Sequence, residues 1–301
     1  MVRRPSGRFL AWAAAALFSL LPAAVAQTAD PDSVRRGEYL VNAGGCVGCH
    51  TDAKNKGALL AGGRPLKTPF GTFYGPNITP DPQHGIGRWS EADFVRAMRH
   101  GVRPDGANYF PVFPYTSFTK ITDSDLKDLW AYLRTVPQAA VANKPHEVGF
   151  PFNLRFLQSG WKWLNFTTGS FQPEPTQSVQ VNRGAYLVQA LAHCGECHTP
   201  RNSIGGLERG RTFAGTADGP EGERVPNITP DSDTGIGKWS PGDLTDVLKS
   251  GMTPDGDFVG GSMGEVVRNT TGKLTDADVG AIVAYLKSLP PIQNRVPRKS
   301  Q

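Results

Sequence analysis

Two short clusters in this sequence carry reactive side chains. Cys46-Val47-Gly48-Cys49-His50 and Cys194-Gly195-Glu196-Cys197-His198 repeat one arrangement, two thiols three positions apart with an imidazole directly after the second. That spacing suits covalent attachment of a c-type haem. The two thiols can add to the two vinyl groups of one porphyrin, and the adjacent histidine then lies under the iron as its fifth ligand. Paired cysteines also build zinc sites, redox disulfides and structural disulfides, but none of these requires a histidine at that place. The expectation is two covalently attached haem c groups, anchored by Cys46, Cys49, Cys194 and Cys197, with His50 and His198 as iron ligands.

The elements around these clusters are duplicated. Arg36-Gly37-Glu38-Tyr39-Leu40-Val41 returns as Arg183-Gly184-Ala185-Tyr186-Leu187-Val188, Pro76-Asn77-Ile78-Thr79-Pro80-Asp81 as Pro226 to Asp231, and Gly85-Ile86-Gly87-Arg88-Trp89-Ser90 as Gly235 to Ser240. The offset grows from 147 at the first motif to 148 at the cysteines, 150 at Trp89 and 153 at Tyr132, as small loop insertions would produce. Each copy has a short helical plan. Ser90-x-x-Asp93 and Ser240-x-x-Asp243 read as capping boxes with Asp for Glu, with Pro241 in the first turn and Gly101 and Gly251 as stops. Thr122-x-x-Asp125 and Thr275-x-x-Asp278 open a second pair, with apolar faces Leu126, Leu129, Trp130, Leu133 and Val279, Ile282, Val283, Leu286. Pro137 and Pro290 close that pair. The helix bearing Tyr39 can pack against the last helix of its domain, Gly37 permitting close approach.

At 301 residues the chain is long enough for two ordinary domains, and 35 Gly with 25 Pro argues for compact, loop-rich ones rather than long helical arrays. Arg3, Arg4 and Arg8 are the only charges among the first 26 residues, and without them 29 basic residues face 27 acidic ones, which is no nucleic-acid footprint. Those arginines precede an apolar run from Phe9 to Val25 and the small-x-small pattern Ala24-Val25-Ala26, so residues 1–26 read as a signal peptide and the mature chain as starting at Gln27. The expected location is the periplasm, soluble or peripheral on the membrane.

A CxxCH near the start, a Trp opening a middle helix, a Met-bearing loop and a terminal helix resemble class I cytochrome c. The longer matches around Pro-Asn-Ile-Thr resemble the cytochrome c subunits of bacterial membrane-associated alcohol, gluconate and aldehyde dehydrogenases. The resemblance implies an all-α fold of two tandem class I cytochrome c domains, residues 27–137 and 181–292, joined by an aromatic-rich connector, 138–180, and followed by a tail, 293–301. Such subunits commonly carry three haems; this chain has motifs for two.

In the second domain Met263 falls where the family's axial methionine falls, in a loop before the terminal helix. A thioether ligand favours ferrous iron and fills the sixth site. In the first domain the matching residue is Phe113, which cannot ligate iron. Haem 1 is then five-coordinate or ligated from elsewhere. Met98 reads as core, His84 and His100 as solvated surface, Tyr115 as packing, and His193 has Gly45 as its counterpart. Met252 is the one competitor near Met263. The family resemblance implies that the indoles of Trp89 and Trp239 hydrogen-bond haem propionates. Asn77 and Asn227 could donate to propionates or cap turns, and Arg64 and Arg224 are weaker candidates for the same charge. Phe150-Pro151-Phe152-Asn153-Leu154-Arg155-Phe156-Leu157 and Trp161 to Phe166 are too aromatic for a free linker; they either wrap across both domains or dock on a dehydrogenase or a membrane surface.

The resulting expectation is a dihaem electron carrier, no catalyst by itself, taking electrons from a partner dehydrogenase toward the respiratory chain through a cytochrome, oxidase or quinone-linked acceptor. The competing class is a haem enzyme using an open haem 1 for peroxide or a small sulfur or nitrogen species.

Overall fold

The structure is a computed structural model that describes Met1 and residues 30–297. The signal-peptide reading of residues 1–26 lies outside the described residues.

The first domain contains α1 (Pro31–Ala43), α2 (Cys46–His50), α3 (Glu91–His100), α4 (Tyr115–Phe118) and α5 (Asp123–Leu133). Then comes α6 (Leu157–Asn165), and the second domain follows with α7 (Val179–Tyr186), α8 (Gly195–His198), α9 (Pro241–Ser250), α10 (Gly261–Asn269) and α11 (Asp276–Ser288). Local sequence explains the boundaries. Ser90 and Ser240 accept from the N3 backbone while Asp93 and Asp243 reach back to the cap, and Gly101 and Gly251 stop the helices at positive φ. Thr122 and Thr275 cap α5 and α11. These last helices stop at Leu133 and Ser288, shortly before Pro137 and Pro290.

In each domain the first helix crosses the last at a glycine. A Cβ on Gly37 would collide with the Asp128 carbonyl oxygen, and one on Gly184 with that of Ala281, so only glycine permits this helix approach. Leu40, Val41, Leu126, Leu129 and Leu133 fill the first core, and Leu187, Val188, Val279, Ile282 and Leu286 the second. The offset step from 147 to 148 between Val41 and Cys46 also has a structural form. One extra residue enters the second copy between Val188 and Cys194, and a π-helical turn at Leu187–Leu191 absorbs it without breaking the helix.

The described residues depart from an all-α plan. A hairpin of β1 (Pro65–Thr68) and β2 (Gly71–Tyr74) pairs Leu66 with Phe73, and β3 (Glu147–Val148) adds an antiparallel third strand opposite Gly71 and Thr72. Thr68 donates its hydroxyl to Gly71 O and accepts from Phe70 N, closing the turn. The second copy has short 3₁₀ turns at Arg209–Arg211 and Pro220–Gly222 in the corresponding region. The fold is mostly helical, in two tandem domains.

Residues between the domains touch both. Lys162 Nζ donates to His100 O, Gly101 O and Asn108 Oδ1 of the first domain, while Trp161 Nε1 donates to Ile204 O of the second. Phe166 meets Tyr115 edge-on at 5.1 Å, and Phe171 meets Tyr186 at 5.6 Å. Other aromatics of this stretch face solvent: Phe150 is 80% exposed, Phe156 70% and Trp163 83%.

The two domains meet about an approximate two-fold axis, and three equivalent pairs of contacts repeat across it. Tyr39 Oη donates to Asp278 Oδ2 at 2.6 Å, and Tyr186 Oη donates to Asp125 Oδ2 at 2.5 Å. Thr275 N donates to Tyr39 Oη, and Thr122 N to Tyr186 Oη, both at 3.3 Å. Lys273 Nζ donates to Asn42 Oδ1 at 3.1 Å, and Lys120 Nζ to Gln189 Oε1 at 2.9 Å.

Candidate functional site

The helices α2 and α8 present each cysteine pair on one short turn, with its histidine at the last helical position. No disulfide joins the four cysteines. Burial pushes Cys46 up to about 12, Cys194 to about 11 and Cys197 to about 12, and Cys49 is raised by the same cause. Redox dithiols and zinc-binding thiolates need the opposite shift, which neither motif shows, and all four cysteines are half-buried.

Both histidines are held by the loop that the repeat shares. His50 Nδ1 donates to Pro76 O at 2.7 Å and His198 Nδ1 to Pro226 O at 2.8 Å. Burial lowers both pKa values, against that bond, and keeps the rings neutral. With the proton fixed on Nδ1, the Nε2 lone pair is available to iron, and the bond orients the ring. Among the described residues no group of three or more His, Cys, Asp or Glu could hold a bare metal ion. The donor set fits an iron that brings its own equatorial nitrogens and takes one imidazole, and the residues present fit haem at both motifs.

Asn77 and Asn227 make equivalent sets of bonds in the two copies of Pro-Asn-Ile-Thr. Asn77 Nδ2 donates to Ala139 O and Val141 O, while its Oδ1 accepts from Thr79 N and Oγ1. Asn227 Nδ2 donates to Thr234 Oγ1 and Ile292 O, and its Oδ1 accepts from Thr229 N and Oγ1. With both amide donors committed inside the protein, these side chains tie the loops carrying Pro76 and Pro226 to the segments after α5 and α11.

Trp89 and Trp239 pack half-buried against the core. Their loop is fastened by Arg134 Nη1 to Gly87 O in one copy and by Lys287 Nζ to Ile236 O, Gly237 O and Trp239 O in the other. Neither indole N–H meets an acceptor among the described residues, so each is free for a propionate. Arg224 Nε donates to Val296 O, and Arg64 pairs with Glu265 of the second domain at 2.5 Å.

Met263 is the third residue of α10, in the first helical turn rather than in a loop, and half-buried. The bond from Ser262 N to Glu223 Oε2 allows a helix to start immediately after Gly260. Met252 is exposed. Phe113 sits just before α4 in an aromatic cluster, 5.1 Å from Tyr109, 6.3 Å from Tyr115 and 5.7 Å from Phe118. Met98 is core and His100 is exposed; His84 is half-buried, its backbone held by Asp81 and Asn143. His146, which sequence reasoning missed, accepts from Tyr74 N at Nδ1. Its neutral ring therefore carries the proton on Nε2 and offers iron no lone pair there. The Tyr115 ring is fully buried and its hydroxyl has no partner among the described residues.

The two motifs face one interface. Helix α2 packs against α10, and α4 against the π-helical turn that leads to Cys194. His193, at φ 41°, lies beside Gly45 and meets the Phe118 ring at 5.3 Å. Glu196, between the second pair of cysteines, accepts from Thr116 Oγ1 at 2.7 Å and Ser117 Oγ at 3.0 Å of α4, and from Arg201 at 2.6 Å. Its burial is outweighed by Arg201 and the Thr116 hydroxyl, which hold the carboxyl below its usual range. Sequence reasoning missed both Glu196 and the proline carbonyls, although the exact recurrence of Pro-Asn-Ile-Thr marked the latter.

Comparison with known proteins agrees with this geometry. The cytochrome c family model matches residues 34–137 and 181–290. A diheme cytochrome c-type protein of Cereibacter sphaeroides is 48% identical over 262 residues, 86% of each chain. The fructose dehydrogenase cytochrome subunit of Gluconobacter japonicus is 41% identical over 86% of this chain and 53% of its own length. The cytochrome c subunit of the quinone alcohol dehydrogenase of Komagataeibacter europaeus is 41% identical over 92% of this chain and 61% of its own. This chain therefore spans little more than half the length of such dehydrogenase subunits. Two matched domains, each with its thiol pair and its oriented histidine, make this chain a member of the cytochrome c family that binds two covalently attached haem c groups.

Proposed function

We propose that this protein is an exported dihaem electron carrier that accepts electrons from a partner dehydrogenase and delivers them to a respiratory acceptor, a cytochrome, an oxidase or a quinone-linked carrier. Haem c supplies one-electron ferric/ferrous chemistry. The chain's residues do the rest: Pro76 and Pro226 hold the imidazoles in the ligating tautomer, Met263 is the sixth ligand of haem 2, and the buried shell keeps water out. The observation that carries the reading is the placement of both haem motifs against one domain interface, where α2 meets α10 and Glu196 of the second motif meets Thr116 and Ser117 of α4. That placement favours passage between two centres over independent chemistry at each. The names of the relatives, cytochrome subunits of alcohol and fructose dehydrogenases, support a dehydrogenase as donor.

Export to the periplasm rests on residues 1–26. Among the described residues no helix is long and apolar enough to cross a membrane. The exposed Phe150, Phe156 and Trp163 suit a peripheral contact, on a dehydrogenase or on the membrane surface.

A second reading, a haem enzyme working at haem 1, draws on Phe113 in the ligand position and on the unpartnered Tyr115 hydroxyl. Both readings are tested by mixing the oxidised protein with a candidate dehydrogenase and its substrate, and separately with peroxide. Reduction of both haems at a rate set by the dehydrogenase, with no peroxide turnover, supports the carrier. Peroxide turnover with no reduction by any dehydrogenase overturns it.

A further inference from the structure

We propose that Arg64, in the first domain, is a positioning residue for the sixth ligand of haem 2, an inference that rests on Met263 being that ligand. Helix α10 begins without a side-chain cap, at Gly260. Its first turn, which carries Met263, is held by carboxylates instead. Glu223 of the same domain accepts from Ser262 N at 3.1 Å. Two residues after Met263, Glu265 Oε2 lies 2.5 Å from Arg64 Nη1, and Glu221 Oε1 lies 4.0 Å from the same guanidinium. The Arg64 and Glu265 side chains are 20% and 28% exposed, so the pair is partly screened from water and worth more than a solvated one.

Arg64 is itself firmly mounted. Gly75 N donates to Arg64 O at 3.0 Å and Gly63 N to Gly75 O at 2.8 Å, a ladder that leads into the β1–β2 hairpin. A Cβ on Gly75 would collide with the Cys49 carbonyl oxygen, so this ladder lies directly against the first haem motif. The ion pair thus braces the methionine-bearing turn against the other domain's haem site.

The opposite half of the interface has a matching brace: Glu196, within the second haem motif, holds Thr116 and Ser117 of α4, just after Phe113. The segment facing each haem's sixth position is anchored on the other domain. Duplication has produced a crossed arrangement in which docking of the domains fixes axial ligation.

The test is the rate at which imidazole enters ferric haem 2, which is limited by release of Met263, read together with the ferric methionine-to-iron charge-transfer band. Arg64→Gln and Glu265→Gln should each speed imidazole entry about fivefold and weaken the band, while haem 1 keeps its spectrum. The swapped pair, Arg64→Glu with Glu265→Arg, should restore the slow rate. Met263→Ala should abolish the band and the slow phase. If Met263→Ala does so but Arg64→Gln leaves the rate unchanged, even with a lowered melting temperature, Arg64 is merely structural and the inference fails. If Met263→Ala leaves band and phase intact, the ligand reading fails and the inference with it.

Discussion

Tyr39 of the first domain donates its hydroxyl to Asp278 of the second at 2.6 Å, and its repeat counterpart Tyr186 donates to Asp125 at 2.5 Å. A duplicated sequence has used one residue twice to fasten its copies together. Hydrogen bonds to charged groups contribute about 1.5–3 kcal/mol. Because Arg183 still pairs with Asp278, Tyr39→Phe should cost about 1.5 kcal/mol, the low end. Tyr186→Phe should cost a similar amount, and denaturant unfolding of both single variants and the double checks each value. Retention of full stability in the double variant would mean that these bonds do not hold the domains.

The same carboxylate gives a pH dependence. Burial alone would raise Asp278, but hydrogen bonds from Arg183 and Tyr39 outweigh it and hold it below its ordinary 3.8. Asp128 is held low by Arg36 and by the Ser33 hydroxyl. A carboxylate whose pKa is depressed by folding stabilises fully above its unfolded value and loses that contribution as pH falls through the folded one. The contribution of these two carboxylates should therefore be complete down to about pH 5 and be lost below about 4. Melting temperature against pH should show this fall, and Asp278→Asn should flatten it.

Gly37→Ala and Gly184→Ala each drive a methyl group into a backbone carbonyl of the facing helix. Each should cost about 1–3 kcal/mol or more. A melting curve within error of wild type for either would show that the helices are not in contact there.

This crossing was legible because Arg-Gly-x-Tyr-Leu-Val recurs with the right helical period, and the capping boxes fixed the middle helices for the same local reason. The strands were not legible. The third strand, residues 147 and 148, reaches β2 at Gly71, where a Cβ would collide with Glu147 O, a contact made over more than seventy residues. The loop expected around Met263 is a helix, since its N-terminus is secured by Glu223 from far along the chain rather than by a neighbouring cap. Tyr39 packs its ring against the core, and nothing local announces that its hydroxyl reaches the other domain.

Asn77 and Asn227 separate loop-tying from haem contact. Each amide makes four bonds inside the protein. Asn77→Ala and Asn227→Ala should lower stability by about 2–4 kcal/mol while covalent haem content stays at two per chain. A large change in reduction potential with no loss of stability would instead assign these amides to the propionates.

The central claim is that two centres of different axial ligation share this chain, one closed by Met263 and the other faced by Phe113. A spectropotentiometric titration of the wild type beside Met263→Ala tests it most directly. Two one-electron waves are expected in the wild type, of which one moves to lower potential in the variant and the other stays in place. A variant whose two waves coincide with those of the wild type would contradict the account.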